Sequence, residues 1–211
     1  MRNLYFIVFI AFTSLVYSCT SRTPDIVDNQ QKRENSQINS TPVKISLPEE
    51  EALLRNASLE GDFEIIQQLL AINVDVNALD QEGRTALMFA AYNGKLEIVK
   101  ALVEKAALVN LQDYSGRSAL MFASSGKFPA TVEFLLVNKA DPNLVDSEEK
   151  FTALMFAAAE GNMEVVKLLL AGNADPNMKD VDGETAEIFA RNNGHVGVAE
   201  FFGEMGVDHR P

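Results

Sequence analysis

The chain has 211 residues, a hydrophobic content of 47% and a charged content of 23%. These ordinary values exclude wholesale disorder and allow one medium-sized domain with additional segments. The formal net charge of −12 at pH 7 argues against nucleic acid as the main ligand, because a phosphate backbone is bound by clustered Lys and Arg.

The first predicted element in the chain is an export signal. Arg2 supplies a positive charge, and residues 4–17 then form an almost wholly apolar run. As a helix this run would span about 21 Å, short of the roughly 30 Å hydrocarbon core of a bilayer. Its length therefore favours the hydrophobic core of a secretory signal over a membrane span.

The apolar run ends in Val16-Tyr17-Ser18-Cys19, which resembles the lipobox of bacterial lipoproteins. The resemblance implies a signal peptide over residues 1–18, cleavage before Cys19 and lipidation of its sulfur, which would anchor the chain in a membrane. Thr20 stands where Asp favours inner-membrane retention in that family, so the resemblance favours the outer membrane. An ordinary signal peptide cut nearby and an uncleaved anchor remain as alternatives. Cys19 is the only cysteine, so no intramolecular disulfide can form.

A polar segment separates this signal from the expected fold. Residues 19–47 are rich in Ser, Thr, Asn, Gln and charge, and their scattered apolar residues show no period. This composition predicts a flexible tether after the lipidated cysteine. The folded domain is expected over residues 48–211.

A pattern of about 33 residues recurs through the rest of the chain. Residues 80–91 (DQEGRTALMFAA) return at 113–123 and, in part, at 151–158 and 183–190. A hydroxyl residue recurs in steps of 33, 34 and 33 at Thr85, Ser118, Thr152 and Thr185, and a closing Asn in steps of 33, 33 and 34 at Asn77, Asn110, Asn143 and Asn177. Together the two series place one inserted residue between Asn143 and Thr152.

These motifs resemble the ankyrin repeat, whose consensus carries D-x-x-G-x-T-P-L-H-x-A-A and closes in G-A-D-V-N. The resemblance covers roughly residues 48–208. It implies an all-α solenoid of about five helix-turn-helix units, three full repeats between two cap repeats, with short β-turn or hairpin tips. The family's Pro is Ala in every copy, and its His is Met or Ile. Apolar packing is therefore expected in place of the family's Thr–His hydrogen bond.

Local chemistry predicts how each unit begins and ends. The recurring Thr or Ser is expected to cap the first helix. The second helix should end on a left-handed residue, which suits Asn73, Asn173 and Gly206, whereas Ala106 and Lys139 should each cost up to about 1 kcal/mol. Pro129 is suited to a helix start.

The last unit departs from the other copies at two positions. Glu187 stands where the other copies have Leu, and Arg191 stands where they have Ala. A terminal repeat has no further neighbour to cover it. Both residues are therefore predicted to form a polar outer face.

No constellation of residues points to catalysis. His195 and His209 are the only histidines, and no second His or spare Cys gives metal-ligand spacing. Neither a phosphate-binding loop nor a Ser/His/Asp arrangement is present. We therefore expect no enzymatic activity, no metal and no cofactor, and we interpret His195 as structural.

A binding surface is implied by the family resemblance. Ankyrin repeats usually bind partners on the concave face formed by the tips and first helices, which maps here to Gln81, Glu82, Arg84, Tyr92, Asn93, Tyr114, Ser115, Arg117, Glu148, Lys150, Phe151 and Glu160. Because aromatic residues dominate binding hot spots, Tyr92, Tyr114 and Phe151 are the best anchor candidates. For each, a partly buried packing role is the alternative. Phe151, in a turn that lacks Gly, has no obvious core role.

The sequence therefore predicts a non-catalytic, monomeric protein–protein interaction module, an adaptor or scaffold tethered by lipid in a bacterial cell envelope. The folded domain is expected in the periplasm. An alternative is an inhibitor or self-protection protein that blocks a periplasmic enzyme such as a cell-wall hydrolase. A purely structural role in organising the envelope is the third possibility. The partner itself is not identified by the sequence.

Overall fold

A computed structural model of the protein describes residues 47–206. The helices in this range form five consecutive pairs, which we number units 1 to 5, and no strand occurs among these residues. The first helices are α1 (Leu47–Glu60), α3 (Ala86–Tyr92), α5 (Ala119–Ser124), α7 (Ala153–Ala159) and α9 (Ala186–Asn192), and the second helices are α2 (Phe63–Ala71), α4 (Leu96–Glu104), α6 (Pro129–Val137), α8 (Met163–Ala171) and α10 (Val196–Glu204). The predicted all-α solenoid of five helix-turn-helix units is confirmed.

The proposed signal peptide (residues 1–18), Cys19 and nearly all of the proposed tether lie outside the described residues, as does His209. Helix α1 begins at Leu47, one residue before the predicted start of the domain. None of the helices within residues 47–206 has the length and apolar content needed to cross a bilayer.

Small residues on the first helices allow the units to stack closely. Ala86, Ala90 and Ala91 of α3 are fully or almost fully buried, and the same holds for their counterparts in α7. The second helices bury one apolar stripe each, for example Ile98, Val99 and Leu102 of α4. The core therefore runs continuously from unit to unit, as helical spacing of apolar residues predicts.

Hydroxyl caps begin three of the first helices. Thr85, Ser118 and Thr152 each accept the backbone N–H three residues later, at 3.3, 3.4 and 3.2 Å. The methionines at those positions are buried, and the sulfurs of Met88 and Met155 accept the N–H of the cap residue in return. Apolar packing thus replaces the family's histidine contact, as predicted, and the sulfur adds a weak hydrogen bond.

The same cap was predicted at Thr185, and this prediction is wrong. The Thr185 side chain accepts no hydrogen bond at the start of α9, and its buried hydroxyl has no partner. Ile188 stands where the capped helices carry methionine. Unit 5 therefore lacks the sulfur that accepts the cap residue's N–H in α3 and α7.

Left-handed residues follow the second helices as expected. Asn73, Ala106, Lys139, Asn173 and Gly206 have φ of 57°, 64°, 67°, 69° and 73°. Pro129 is the first residue of α6, which confirms its role as a helix start.

The Asn that closes each of units 1 to 3 joins that unit to the next one. Asn77 accepts the N–H of Leu108 at 2.8 Å and donates to the carbonyl of Ala106 at 3.3 Å. Asn110 and Asn143 repeat this pair of contacts one unit further along the chain. The closing Asn therefore recurs because it links successive units.

The predicted polar outer face of unit 5 is wrong for one of its two residues. Glu187 is completely buried and pairs with Arg191, whose side chain is 61% exposed. Glu187 occupies the inward position that Leu holds in the other first helices, so its carboxylate enters the packed layer and Arg191 neutralises it there. Only Arg191 contributes to an outer polar face.

Candidate protein-binding surface

The turn that precedes the first helix of a unit, which we call the tip of that unit, is closed by an aspartate in units 2 to 5. Oδ1 of Asp80 accepts the backbone N–H groups of Glu82 and Arg84, at 3.0 and 2.8 Å. Asp113 holds Ser115 and Arg117 in the same way. This turn presents the residue before the cap, Arg84 or Arg117, at an equivalent place in successive units.

The inserted residue lies within the tip of unit 4, as predicted. Oδ1 of Asp146 accepts from Glu149 and Phe151, so Glu149 takes the place of Ser115 and the extra residue falls in 147–148. Lys150 stands where the other tips carry Gly and has a φ of 62°. Phe151 is the counterpart of Arg84 and Arg117.

Backbone hydrogen bonds join one tip to the next. Tyr114 donates to the carbonyl of Glu82 at 3.0 Å, and Ser147 donates to that of Ser115 at 2.8 Å. Val181 donates to the carbonyl of Glu149 at 3.1 Å. The tips therefore form one connected edge, with a fixed spacing between the side chains that it carries.

A row of aromatic side chains lies beside these tips. We call it the aromatic ladder, and it consists of Phe89, Phe122, Phe156 and Phe189 of the first helices together with Tyr92 and Phe151. Tyr92 meets Phe122 edge-on, with ring centroids 6.1 Å apart. Apart from the buried Phe189, the members are partly exposed. The ladder thus gives units 2 to 4 a shared aromatic surface, and the buried Phe189 continues the row into unit 5.

Phe151 has a packing role that the sequence did not reveal. Its ring meets Phe156 of its own unit at 5.8 Å and Phe189 of the next unit at 5.2 Å, both edge-on. The expectation that Phe151 lacks a core role is therefore wrong, because its turn aims the ring between two first helices. Phe151 is half-buried, and part of it still faces solvent.

Two arginines extend the ladder. The guanidinium carbon of Arg84 lies 4.9 Å from the centre of the Phe89 ring, and that of Arg117 lies 6.0 Å from the centre of the Phe156 ring. Arginine stacked on an aromatic ring is a favourable cation–π arrangement. The predicted residues Arg84 and Arg117 therefore lie against the ladder, which itself contains the predicted residue Phe151.

The twelve predicted binding residues fall into two groups by exposure. The exposed ones are Gln81, Glu82, Tyr114, Glu148 and Lys150, and the partly buried ones are Arg84, Tyr92, Asn93, Ser115, Arg117, Phe151 and Glu160. Tyr114 is the most open anchor candidate, with 70% of its surface exposed. Its ring also lies against Gly83 of the preceding tip, where a Cβ atom would come within 2.7 Å of it.

Two polar residues in the turns between the two helices of a unit join neighbouring units. The side chain of Asn93, a predicted binding residue, donates to the carbonyl of Leu59 in the preceding unit at 2.7 Å. Nε2 of His195 lies 2.9 Å from the carbonyl oxygen of Ala159, which supports its interpretation as a structural residue. Asn93 therefore stabilises the contact between units 1 and 2.

Burial perturbs two carboxyl groups at the tips. Burial raises the pKa of the Asp113 carboxyl. The backbone hydrogen bonds from Arg117 and Ser115 and the attraction of the Arg117 and Arg84 charges lower this pKa by less. Burial also raises the pKa of Glu184, with added repulsion from Asp180 and Asp182 and an opposing hydrogen bond from Asn192. Among the described residues, no group of three or more His, Cys, Asp or Glu side chains could hold a metal ion.

Three partly exposed phenylalanines of the first helices, Phe89, Phe122 and Phe156, were not among the predicted binding residues. The sequence does contain a signal for them, because Phe89, Phe122, Phe156 and Phe189 recur in phase with the repeat. Recurrence alone does not separate a buried position from a surface position. The exposed Val181, at the tip of unit 5, was missed as well.

Comparison with known families gives a clear result. The family model described as ankyrin repeats (3 copies) matches residues 54–146 and 125–210. No curated protein matches the chain.

Proposed function

Because this chain belongs to the ankyrin-repeat family, a family of protein–protein interaction modules, we propose that it is a non-catalytic adaptor whose binding surface is the aromatic ladder with its adjoining tips. The observation that supports this surface is the aromatic row, which is partly open to solvent across units 2 to 4. Partly exposed aromatic and arginine side chains are the types that dominate protein-binding hot spots. Binding a partner at such a surface requires no catalytic residue.

The surface can be tested by photo-crosslinking in cells that express the full-length chain. A photoreactive residue replaces Tyr114 in one variant and Val137 in a control variant, since Val137 is 76% exposed at the end of the second helix of unit 3. We expect one protein of defined mass to be crosslinked from position 114 and not from position 137. Equal crosslinking from both positions would place the contact elsewhere.

The proposal includes a lipid tether in a bacterial cell envelope, with the repeat domain in the periplasm and the outer membrane as the favoured site. Its support is the apolar run that ends at Cys19 and the polar segment that follows it. More than one acyl chain at a single cysteine would give stable anchoring. We expect a labelled fatty acid to be incorporated by the wild-type chain and not by Cys19→Ser, and the variant to leave the membrane fraction. Labelling of Cys19→Ser would rule out this anchor.

A sharper form of the proposal is an inhibitor or self-protection protein that blocks a periplasmic enzyme such as a cell-wall hydrolase. An export signal combined with a broad aromatic surface supports it, because inhibition requires one tight complex in that compartment. The crosslinked partner should then form a one-to-one complex with the monomeric chain and lose its activity. If the partner stays fully active in the complex, the inhibitor function is refuted and only the adaptor function remains.

A further inference from the structure

Arg84 and Arg117 occupy the same position in consecutive units but have different surroundings. Nε of Arg84 donates to Oδ2 of Asp80 at 2.8 Å, and its Nη2 lies 2.8 Å from the same oxygen and 2.9 Å from Oε2 of Glu82. The guanidinium of Arg84 is therefore held by two carboxylates of its own tip.

The guanidinium of Arg117 is attracted by Asp113 of its own tip, but within residues 47–206 it forms no ion pair or side-chain hydrogen bond with a carboxylate. Ser115 stands where the preceding tip has Glu82, and Asp113 uses Oδ1 for the backbone N–H groups of Ser115 and Arg117. Nε of Arg117 is buried and has no hydrogen-bond acceptor. The Phe156 ring lies near the guanidinium carbon but accepts no conventional hydrogen bond from Nε.

An arginine in this state is suited to receive a carboxylate. Its planar fork of N–H donors matches the two oxygens of a carboxylate, and a surrounding aromatic surface excludes water and strengthens the pair. Tyr114 on the same tip and Lys150 on the next tip are exposed, and Lys150 forms no ion pair in the described structure.

We propose that Arg117 binds the carboxylate of an Asp or Glu side chain in a partner segment that lies along the aromatic ladder. This inference rests on the proposed function, because it names the chemistry that the same surface recognises. The accessible part of the ladder crosses units 2 to 4, which suits an internal segment of a partner better than a chain end. An aromatic or aliphatic residue beside the acidic one would pack against Tyr114 and Phe156.

The probe is a library of random 12-residue peptides displayed without a free carboxyl terminus and selected on the purified full-length chain. Recovered peptides are then synthesised with amidated ends, and their affinities are measured by fluorescence anisotropy. We expect them to share an Asp or Glu next to an aromatic or aliphatic residue. Arg117→Gln should weaken binding by about tenfold or more. Asp→Asn or Glu→Gln in the peptide should weaken binding to the wild type by a similar factor and have little further effect on Arg117→Gln.

Lys105→Gln is the control for the loss of one positive charge, since Lys105 is exposed at the end of the second helix of unit 2. It should change affinity by less than about threefold, and circular dichroism checks that both variants remain folded. Peptides that need no acidic residue, or that bind Arg117→Gln as tightly as the wild type, would overturn the inference. So would binding that depends only on a free peptide carboxyl terminus.

The same data separate this inference from the proposed function. If the peptides lose affinity for Tyr114→Ala but not for Arg117→Gln, the proposed binding surface stands and the carboxylate site at Arg117 is refuted. Peptides that are insensitive to both substitutions, or a selection that recovers no peptide, would count against the surface itself and against the inference.

Discussion

Phe151 lies edge-on against Phe189 of the following unit, with ring centroids 5.2 Å apart and ring planes at 83°. The contact joins the tip of unit 4 to the first helix of unit 5. Since Phe189 is buried and Phe151 half-buried, the pair couples a surface position to the packed layer. The residue that the sequence presents as a free binding anchor therefore also stabilises the stack.

Phe151→Ala should lower the free energy of unfolding by about 2 kcal/mol, because it removes two aromatic contacts and part of a buried ring. Urea unfolding of the full-length chain measures the change. Tyr114→Ala is the control and should cost less than about 1 kcal/mol, since the Tyr114 side chain is largely exposed. Equal losses from the two substitutions would contradict the packing role of Phe151.

Thr152→Val and Thr185→Val should differ in effect although the chemical change is the same. Thr152 accepts the N–H of Met155 at 3.2 Å, so its loss as a cap should cost about 1 kcal/mol. The Thr185 hydroxyl is buried without a partner, so its removal should be neutral or stabilising. Thermal unfolding of both variants tests the difference, and a larger loss from Thr185→Val would show that this hydroxyl is bonded after all.

Ala106→Gly should stabilise the protein by up to about 1 kcal/mol, because Ala106 has a φ of 64° that glycine adopts without strain. Ala101→Gly is the matched control inside α4, where glycine should instead cost about 1 kcal/mol. Denaturant midpoints of the two variants should therefore move in opposite directions. A destabilised Ala106→Gly variant would mean that the left-handed conformation carries no cost for alanine.

The free energy of unfolding of Asp113→Asn, relative to that of the wild type, should be highest near neutral pH. Because folding raises the pKa of Asp113, the folded state binds the proton more tightly than the unfolded state. The charged form of this carboxyl thus costs stability above the folded pKa, and the cost disappears as the pH falls through that pKa towards the ordinary value of about 3.9. The amide oxygen of Asn can still accept the N–H groups of Ser115 and Arg117.

Urea unfolding of wild type and Asp113→Asn between neutral pH and about pH 4 measures this linkage. The advantage of the variant should shrink on acidification. Asp175→Asn, at an exposed position, controls for the change in net charge. An advantage that grows as the pH falls would reverse the predicted sign.

The sequence by itself determined the repeat, its register and the ends of its helices. These features depend on local chemistry: apolar spacing along one helix, a hydroxyl that reaches the N–H three residues later, and a residue that tolerates positive φ. The insertion in the tip of unit 4 could be located for the same reason, since both the hydroxyl series and the asparagine series shift by one residue.

Only the tertiary structure decided which side chains meet across units. Phe151 packs on a ring 38 residues away, Glu187 is buried beneath Arg191, and the Thr185 hydroxyl is buried without a partner. Arg84 and Arg117 look alike in the repeat, yet one is paired and the other is not. Such differences depend on which neighbour the adjoining tip or helix supplies in space. A period along the chain specifies the position of a side chain but not the atoms opposite it.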